Sequence, residues 1–331
     1  AFKTMALSSG EEAQGLVAGD SDAEKSSTVC LFITICALVA SVALVVTIGW
    51  WTYLFYSPKY VSDSILQHRQ AESLLHQDIS VTIPFGIVSI REDSSAVAVS
   101  LDLVYSSNDE EDFDCLSASI EQVGLTWQAV GSVCESFKGS SFFSNAKFEA
   151  IIRIPSVSVA PDSLATSQVL VDVGVGDVLV SLSTASANHL GVALTQGECV
   201  VVGGTYASAD FLLGRSEVLV DEAAIGILSA ADQEGQEESE SRFSAEDVSF
   251  EQLSVELNNA AVVIEVLPTD EGYTGPVSIE APKIKIHDSA KAMSASVDES
   301  SQYTGQCGAE TPGHWAAVTL QQGVVNWYTL T

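Results

Sequence analysis

The chain has 331 residues, 47% of them hydrophobic and 17% charged, enough apolar material for one large domain or two small ones with accessory segments. Its 13 Lys and Arg stand against 44 Asp and Glu, a formal net charge of −31. A phosphate backbone repels such a chain, so nucleic acid is excluded as a partner; cations, basic proteins and identical copies screened by salt remain.

Residues 1–28 are small, polar and mildly acidic without periodicity, the composition of a disordered tail. Between Lys25 and Lys59 there is no charged side chain. The heart of that gap, 29–56, is long enough to cross a hydrocarbon layer of about 30 Å and ends in Trp50, Trp51, Tyr53 and Tyr56, the aromatics of an interfacial belt. The expectation is a single transmembrane helix over 29–56. It would place the tail in the cytoplasm, the C-terminal part outside the cell or in a lumen, and the lipid bilayer among the partners. Ala37 and Ser41 form a small-xxx-small pair of the kind that lets helices approach in lipid. In the segment 57–78, Val61, Ile65, Leu66, Leu74 and Leu75 recur at three- and four-residue intervals, which predicts a short amphipathic juxtamembrane helix.

From Ile79 the pattern changes to short β-type runs separated by Gly, Pro, Ser and Asp, predicting a small antiparallel β-sandwich over 79–160. Within it, Val97, Val99, Leu101 and Leu103 alternate onto one face. The loop that follows concentrates five carboxylates, Asp109, Glu110, Glu111, Asp112 and Asp114. Such hard oxygen ligands suit Ca²⁺, although the alternating spacing and central Gly of an EF-hand loop are missing, so a solvated acidic turn competes with a metal site. Cys115 and Cys134 lie close enough in sequence for a disulfide contributing about 3 kcal/mol. The run VSLDLVYSSNDEEDFDCLSASIEQVGLTW, coming after an apolar segment, resembles the sandwich of the late-embryogenesis-abundant, water-stress type over about eighty residues. Ser-Ser-Asn stands at 106–108 where that family has an Asn-Pro-Asn turn.

The second half nearly repeats itself. STASAN at 183–188 returns as TYASAD at 205–210. VLVDVGVGDVLVSLSTASANH from Val169, VALTQGECVVVGGTYASAD from Val192 and LLGRSEVLVDEAAIG from Leu212 share one plan: an apolar run, a turn, an acid, a second apolar run. The acids are Asp177, Glu198 and Glu217, at offsets of 21 and 19. VELNNAAVVIEV from Val255 and VSIEAPKIKIHD from Val277 follow the same plan. A unit this short cannot bury its own inner face, so the period predicts stacked β-coils. With its Gly-Asp-Val-x-Val turns, the stretch of about 165–290 resembles adhesin-head β-solenoid domains. The resemblance implies a right-handed β-solenoid, extended here to 161–331, on a surface-attached protein. The acidic segment 231–247 reads as a loop inserted between coils, and the closing AAVTLQQGVVNWYTLT as a cover over the last one. In this alignment Cys199 takes a core position beside Val178 and Val218, which leaves Cys307 as a free or intermolecular thiol.

No HExxH, GxSxG, P-loop or complete GxGxxG pattern occurs, and His189, His287 and His314 are scattered. The chain therefore reads as mainly β and non-enzymatic, with no cofactor other than calcium. Its expected role is structural or adhesive, with copies of itself or other surface and membrane proteins as partners. Alternatives are a carbohydrate-binding or carbohydrate-active solenoid, and a calcium-stabilised accessory subunit of a membrane complex.

Overall fold

The structure, a computed structural model, describes residues 35–50, 58–63, 65–68, 78–96, 99–137, 145–156, 166–183, 185–233, 240–266, 273–290, 293–295, 301–309 and 311–330. They fall in two units, 1–57 and 58–331.

In the first unit, helix α1 covers 35–50, with every residue exposed. Among the described residues no helix is long and apolar enough to cross a membrane. The transmembrane helix expected over 29–56 and the single-pass location built on it are corrected accordingly. The tail 1–28 and the edges of that stretch lie outside the described residues.

The second unit is built from a strand plan visible in β3 (Asp78–Asp93). Ile79, Val81 and Ile83 are buried on alternate positions; past Gly86 the alternation slips by one, and Val88 and Ile90 are buried instead. The slip marks a corner. It keeps apolar side chains inward on both arms of a bent strand, as an extra unpaired residue does in a bulge. The same slip recurs in β8 (Thr166–Ser181), β9 (Ser186–Val202), β10 (Thr205–Asp221), β13 (Ser249–Val266) and β18 (Trp315–Thr329), so all six enclose one apolar core. The corner glycines of β8 and β9 follow from sterics. Gly176 and Gly197 have φ of 151° and 137°, and a Cβ on Gly197 would lie 1.7 Å from the Gly176 carbonyl oxygen. At these two corners, with their positive φ, only glycine lets the chains close to ladder distance.

Stacking is parallel through the middle. β3 pairs with β8, β8 with β9 and β9 with β10, both arms in register. The next layer is split: the first arm of β10 pairs with β11 (Ala224–Asp232) and the second with β12 (Ser241–Glu246), and both then meet β13. Segment 231–247 is therefore not wholly an inserted loop. Phe243, inside the acidic run, is fully buried, and its strand is a rung of the stack; 234–239 lie outside the described residues. The ladder also corrects the offset between STASAN and TYASAD: Ser186 pairs with Thr205, 19 residues apart rather than 22.

The C-terminal strand does not cover the end. β18 lies between β13 on one side and β14 (Gly275–Glu280) and β15 (Ile284–Asp288) on the other, parallel to all three. Trp327 is fully buried there, level with Ile264 and Ile286. Beyond β14, β17 (Gln302–Cys307) and β16 (Met293–Ala295) close the first arm with antiparallel pairs.

At the other end, β6 (Thr126–Val133) and β7 (Lys147–Pro155) each run parallel to one arm of β3. β5 (Leu116–Val123) and β4 (Ser100–Ser107) add to them antiparallel. The region 79–160 is thus the first layers of the same sheet system rather than a separate antiparallel sandwich. Two short strands, β1 (Tyr60–Val61) and β2 (Ile65–His68), pair with β4 where the amphipathic helix over 61–78 was expected. An open ladder edge on β4 outweighs the weak helical periodicity of so short a segment. Residues 69–77 lie outside the described residues.

Candidate functional site

Because neighbouring coils are in register, outward side chains stand in columns about 4.8 Å apart per strand. One column on the second arm contains Asp177, Glu198 and Glu217, paired in that order, with Arg242 next. Arg242 forms an ion pair with Glu217 at 3.1 Å. At the far end of the same arm, Asp221 pairs with Glu246, and Glu265 lies on the next strand. Burial, and then Glu246, Asp247 and Asp221, raise the carboxyl pKa of Glu265 above the ordinary glutamate value. Two acidic rails therefore run along this flank; Arg242 pairs with the first, Arg215 lies two residues before Glu217 on its strand, and Arg91 stands in the column of the second. Where the turns stack beside the second rail, Arg91, Glu92, Gly203, Glu222 and Asp247 border a groove of about 740 Å³. Glu92 is engaged there: its carboxylate accepts from the Ser183 amide at 2.8 Å, the Ser183 hydroxyl at 2.9 Å and the Ala185 amide at 3.2 Å. It ties the first full layer to the next turn.

The first arm presents a different feature. Gly191 and Ala193 leave a shallow notch of about 260 Å³ between the larger side chains of the coils on either side. Leu170 and Asp172 lie on one side of it, Asp210 and Leu212 on the other. His189, two residues before Gly191, shares its Nδ1 with the Ser208 hydroxyl at 2.9 Å and an Asp210 carboxylate oxygen at 3.5 Å. Ser229 donates a short hydrogen bond to the other Asp210 oxygen. Serine, histidine and aspartate meet here without the geometry of a catalytic triad. In a triad the two partners use opposite ring nitrogens; here both use Nδ1.

The residues singled out in the sequence are distributed as follows. Asp109 is the N-cap of the short helix α2 (Glu110–Asp114), accepting from the amides of Glu111 at 2.9 Å and Asp112 at 3.2 Å. Glu110 accepts from the Tyr60 hydroxyl at 3.4 Å, and its charge raises the Tyr60 pKa. Glu111, Asp112 and Asp114 occupy the same helical turn. Among the described residues no group of three or more His, Cys, Asp or Glu side chains is arranged to hold a metal ion. Cys115 and Cys134 form a disulfide between the start of β5 and the end of β6. Cys199 is free and buried level with Val178 and Val218, and burial raises its thiol pKa. Cys307 is also free and fully buried, at the end of β17; its thiol, pushed up by burial to about 11, donates to the Tyr273 carbonyl at 3.7 Å. It is enclosed by its own fold and not presented to a second chain. On α1, the Ser41 hydroxyl donates to the Ala37 carbonyl at 2.8 Å, so this pair makes a contact within the helix.

The notch escaped the sequence reading because it is defined by missing side chains on one coil and present ones on two others. The signal was available in the repeat: at the true register, Gly191 falls between Leu170 and Asp210.

No protein-family model matches the chain, and no curated protein matches it. Among solved structures it is similar to a candidate cell adhesion protein from Clostridium sporogenes ATCC 15579, at 11% identity over 81% of this chain and 99% of that one, TM-score 0.28. It is also similar to a candidate adhesin from Bacteroides fragilis NCTC 9343 (10% identity, 81% and 98%, TM-score 0.31). A candidate lipid binding protein from Parabacteroides distasonis ATCC 8503 stands at 9% identity, 82% and 98% coverage and TM-score 0.29. At such scores, what the chain does has to be argued from its own geometry.

Proposed function

We propose that this chain is a structural, adhesive protein whose second-arm flank attaches to basic surfaces of other proteins. The observation that supports this reading is the rail Asp177–Glu198–Glu217, three like charges held in register on a sheet that cannot splay them apart. Like charges directly opposite one another are unfavourable within a sheet. A complementary row of Lys or Arg would relieve that repulsion, and such complementarity speeds encounter and selects partners. Copies of the same chain are poorer candidates for this flank, since rail would face rail. The β15 edge carries Lys285, with Lys283 just before it, charge of the kind that blunts strand addition. The reading is of a binding protein and assigns no reaction.

The test compares two triple variants for retention on an immobilised lysine-rich peptide. Neutralising the rail (Asp177→Asn, Glu198→Gln, Glu217→Gln) is expected to lower affinity at least tenfold at about 0.15 M salt. Neutralising three scattered exposed acids (Glu111→Gln, Glu121→Gln, Glu251→Gln) makes the same change in net charge and is expected to cost less than threefold. Equal losses from the two variants would remove the rail as the binding element.

A further inference from the structure

The first-arm notch has a chemical pattern that the attachment reading does not use. Around the bare positions Gly191 and Ala193, the four nearest outward residues alternate. Leu170 stands below Gly191 and Asp172 below Ala193; Asp210 stands above Gly191 and Leu212 above Ala193. The two leucines occupy one diagonal and the two aspartates the other. The floor is backbone and one methyl group, and the walls are the two leucines with the two carboxylates between them.

Asp172 and Asp210 are two strands apart and offset by two residues along the strand. Their Cα atoms are therefore separated by roughly 12 Å across the diagonal, from strand spacing and rise. Asp172 is exposed, and the Asp210 side chain is 47% exposed, so both carboxylates can be approached from solvent. Asp210 is steadied by Ser229 and by His189. His189 Nε2 would lie 3.2 Å from a Cβ on Gly191, so the ring borders the space that glycine leaves open.

We propose that this notch binds a linear aliphatic α,ω-diamine. Its methylene stem crosses the floor between Leu170 and Leu212, and its two ammonium groups pair with Asp172 and Asp210. A stem of four or five methylenes, with a charge-assisted hydrogen bond of about 2.8 Å at each end, suits a span of this order once the aspartates lean inward. A monoamine would leave one carboxylate without its partner. A two-carbon diamine could not reach both, and a bare divalent cation would gain nothing from the two leucines. Site geometry, rather than net charge, is what separates these ligands.

Calorimetric titration of the full chain at about 0.15 M salt tests this with butane-1,4-diamine, pentane-1,5-diamine, ethane-1,2-diamine and butylamine. The longer diamines are expected to saturate one site at least tenfold more tightly than the other two. Asp172→Asn and Asp210→Asn should each bring the longer diamines down to the level of butylamine. Gly191→Val fills the notch without breaking the ladder, because the nearest atom to the new Cβ is the swinging end of Leu170, at 2.8 Å. That variant should lose at least tenfold in diamine affinity while keeping its circular dichroism and melting temperature. If ethane-1,2-diamine binds as tightly as its longer homologues, or Gly191→Val retains full affinity, the ligand is only condensing on an acidic surface and the site is overturned. The rail variant of the second arm should leave diamine binding unchanged, which separates this outcome from that of the attachment test.

Discussion

The middle of the stack and its C-terminal third use the same strand plan but differ in how chain order maps onto space. From β8 to β10 each strand lies on the one before it, and the acids at 177, 198 and 217 fall into one column. After β13 the order breaks: β14 and β15 are laid down before β18, yet β18 is the strand that touches β13. In the middle, a repeat in sequence is a neighbour in space. In the C-terminal third, β14 and β15 must keep one ladder edge for a strand still to come, or exchange partners when it arrives. Pairing between strands distant in sequence carries the larger loop-closure cost, so this end is costlier to assemble than the coils from β8 to β10.

The largest effect is expected where the two regions differ most. Trp327→Ala removes a fully buried indole from the inserted strand and should cost about 3–5 kcal/mol in denaturant unfolding. Were β18 a cover on an open end, the ring would keep a wet side and the loss would stay below about 1 kcal/mol. A small loss would therefore return β18 to the outside of the stack.

The next effect probes the regularity of the middle. Gly197→Ala places a Cβ 1.7 Å from the Gly176 carbonyl oxygen at a φ of 137°, and should cost about 2–4 kcal/mol. In the next coil the same column holds Ser216, which has no positive φ and whose buried hydroxyl lacks a hydrogen-bond partner. Ser216→Ala should cost nothing and gain about 1 kcal/mol, since it deletes a buried hydroxyl that has no hydrogen-bond partner. Similar costs at the two positions would mean that the corner, and not the glycine, carries the strain.

These contrasts explain what could be read from the residues. The acidic register of the middle coils was legible because Gly176-Asp177 and Gly197-Glu198 mark the same corner, and the core place of Cys199 followed from it. The offset of the near-repeat at 183–188 and 205–210 misled, because Ala and Ser recur on both sides of the turn and fit more than one alignment. Phe243 was hidden by its setting: SRFSAE lies in an acidic run, and one buried aromatic is a weak signal for a strand that borrows both neighbours. The place of β18 was not legible at all. VTLQQGVVNW alternates as any of these strands does, and nothing local says that it enters between β13 and β14. The diagonal of aspartates at Gly191 is equally non-local, spread over three coils. In the N-terminal unit, residues 35–50 of the apolar run are helical, and among the described residues no helix is long and apolar enough to cross a membrane.

The smallest effect concerns the second acidic rail, which continues from the middle toward the C-terminal third through Asp221, Glu246 and Glu265. Burial and the neighbouring carboxylates raise the Glu265 pKa in the folded state above its unfolded value. Folded protein therefore holds this proton to higher pH than unfolded protein does, so the contribution to stability is greatest on the acid side and declines as pH rises through the raised value. Glu265→Gln removes the ionisation while keeping the shape of the side chain. The variant should melt with the wild type below the ordinary glutamate range and above it at pH 7, with the gap opening between the unfolded and folded pKa values. Asp93 works in the opposite direction: the Ser95 hydroxyl, and then the Ser95 amide, hold its pKa down. It is unchanged by the substitution and cancels when the two melting curves are subtracted. A gap that does not vary with pH would mean that packing against the neighbouring strands, and not the repulsion along the rail, sets the cost of Glu265.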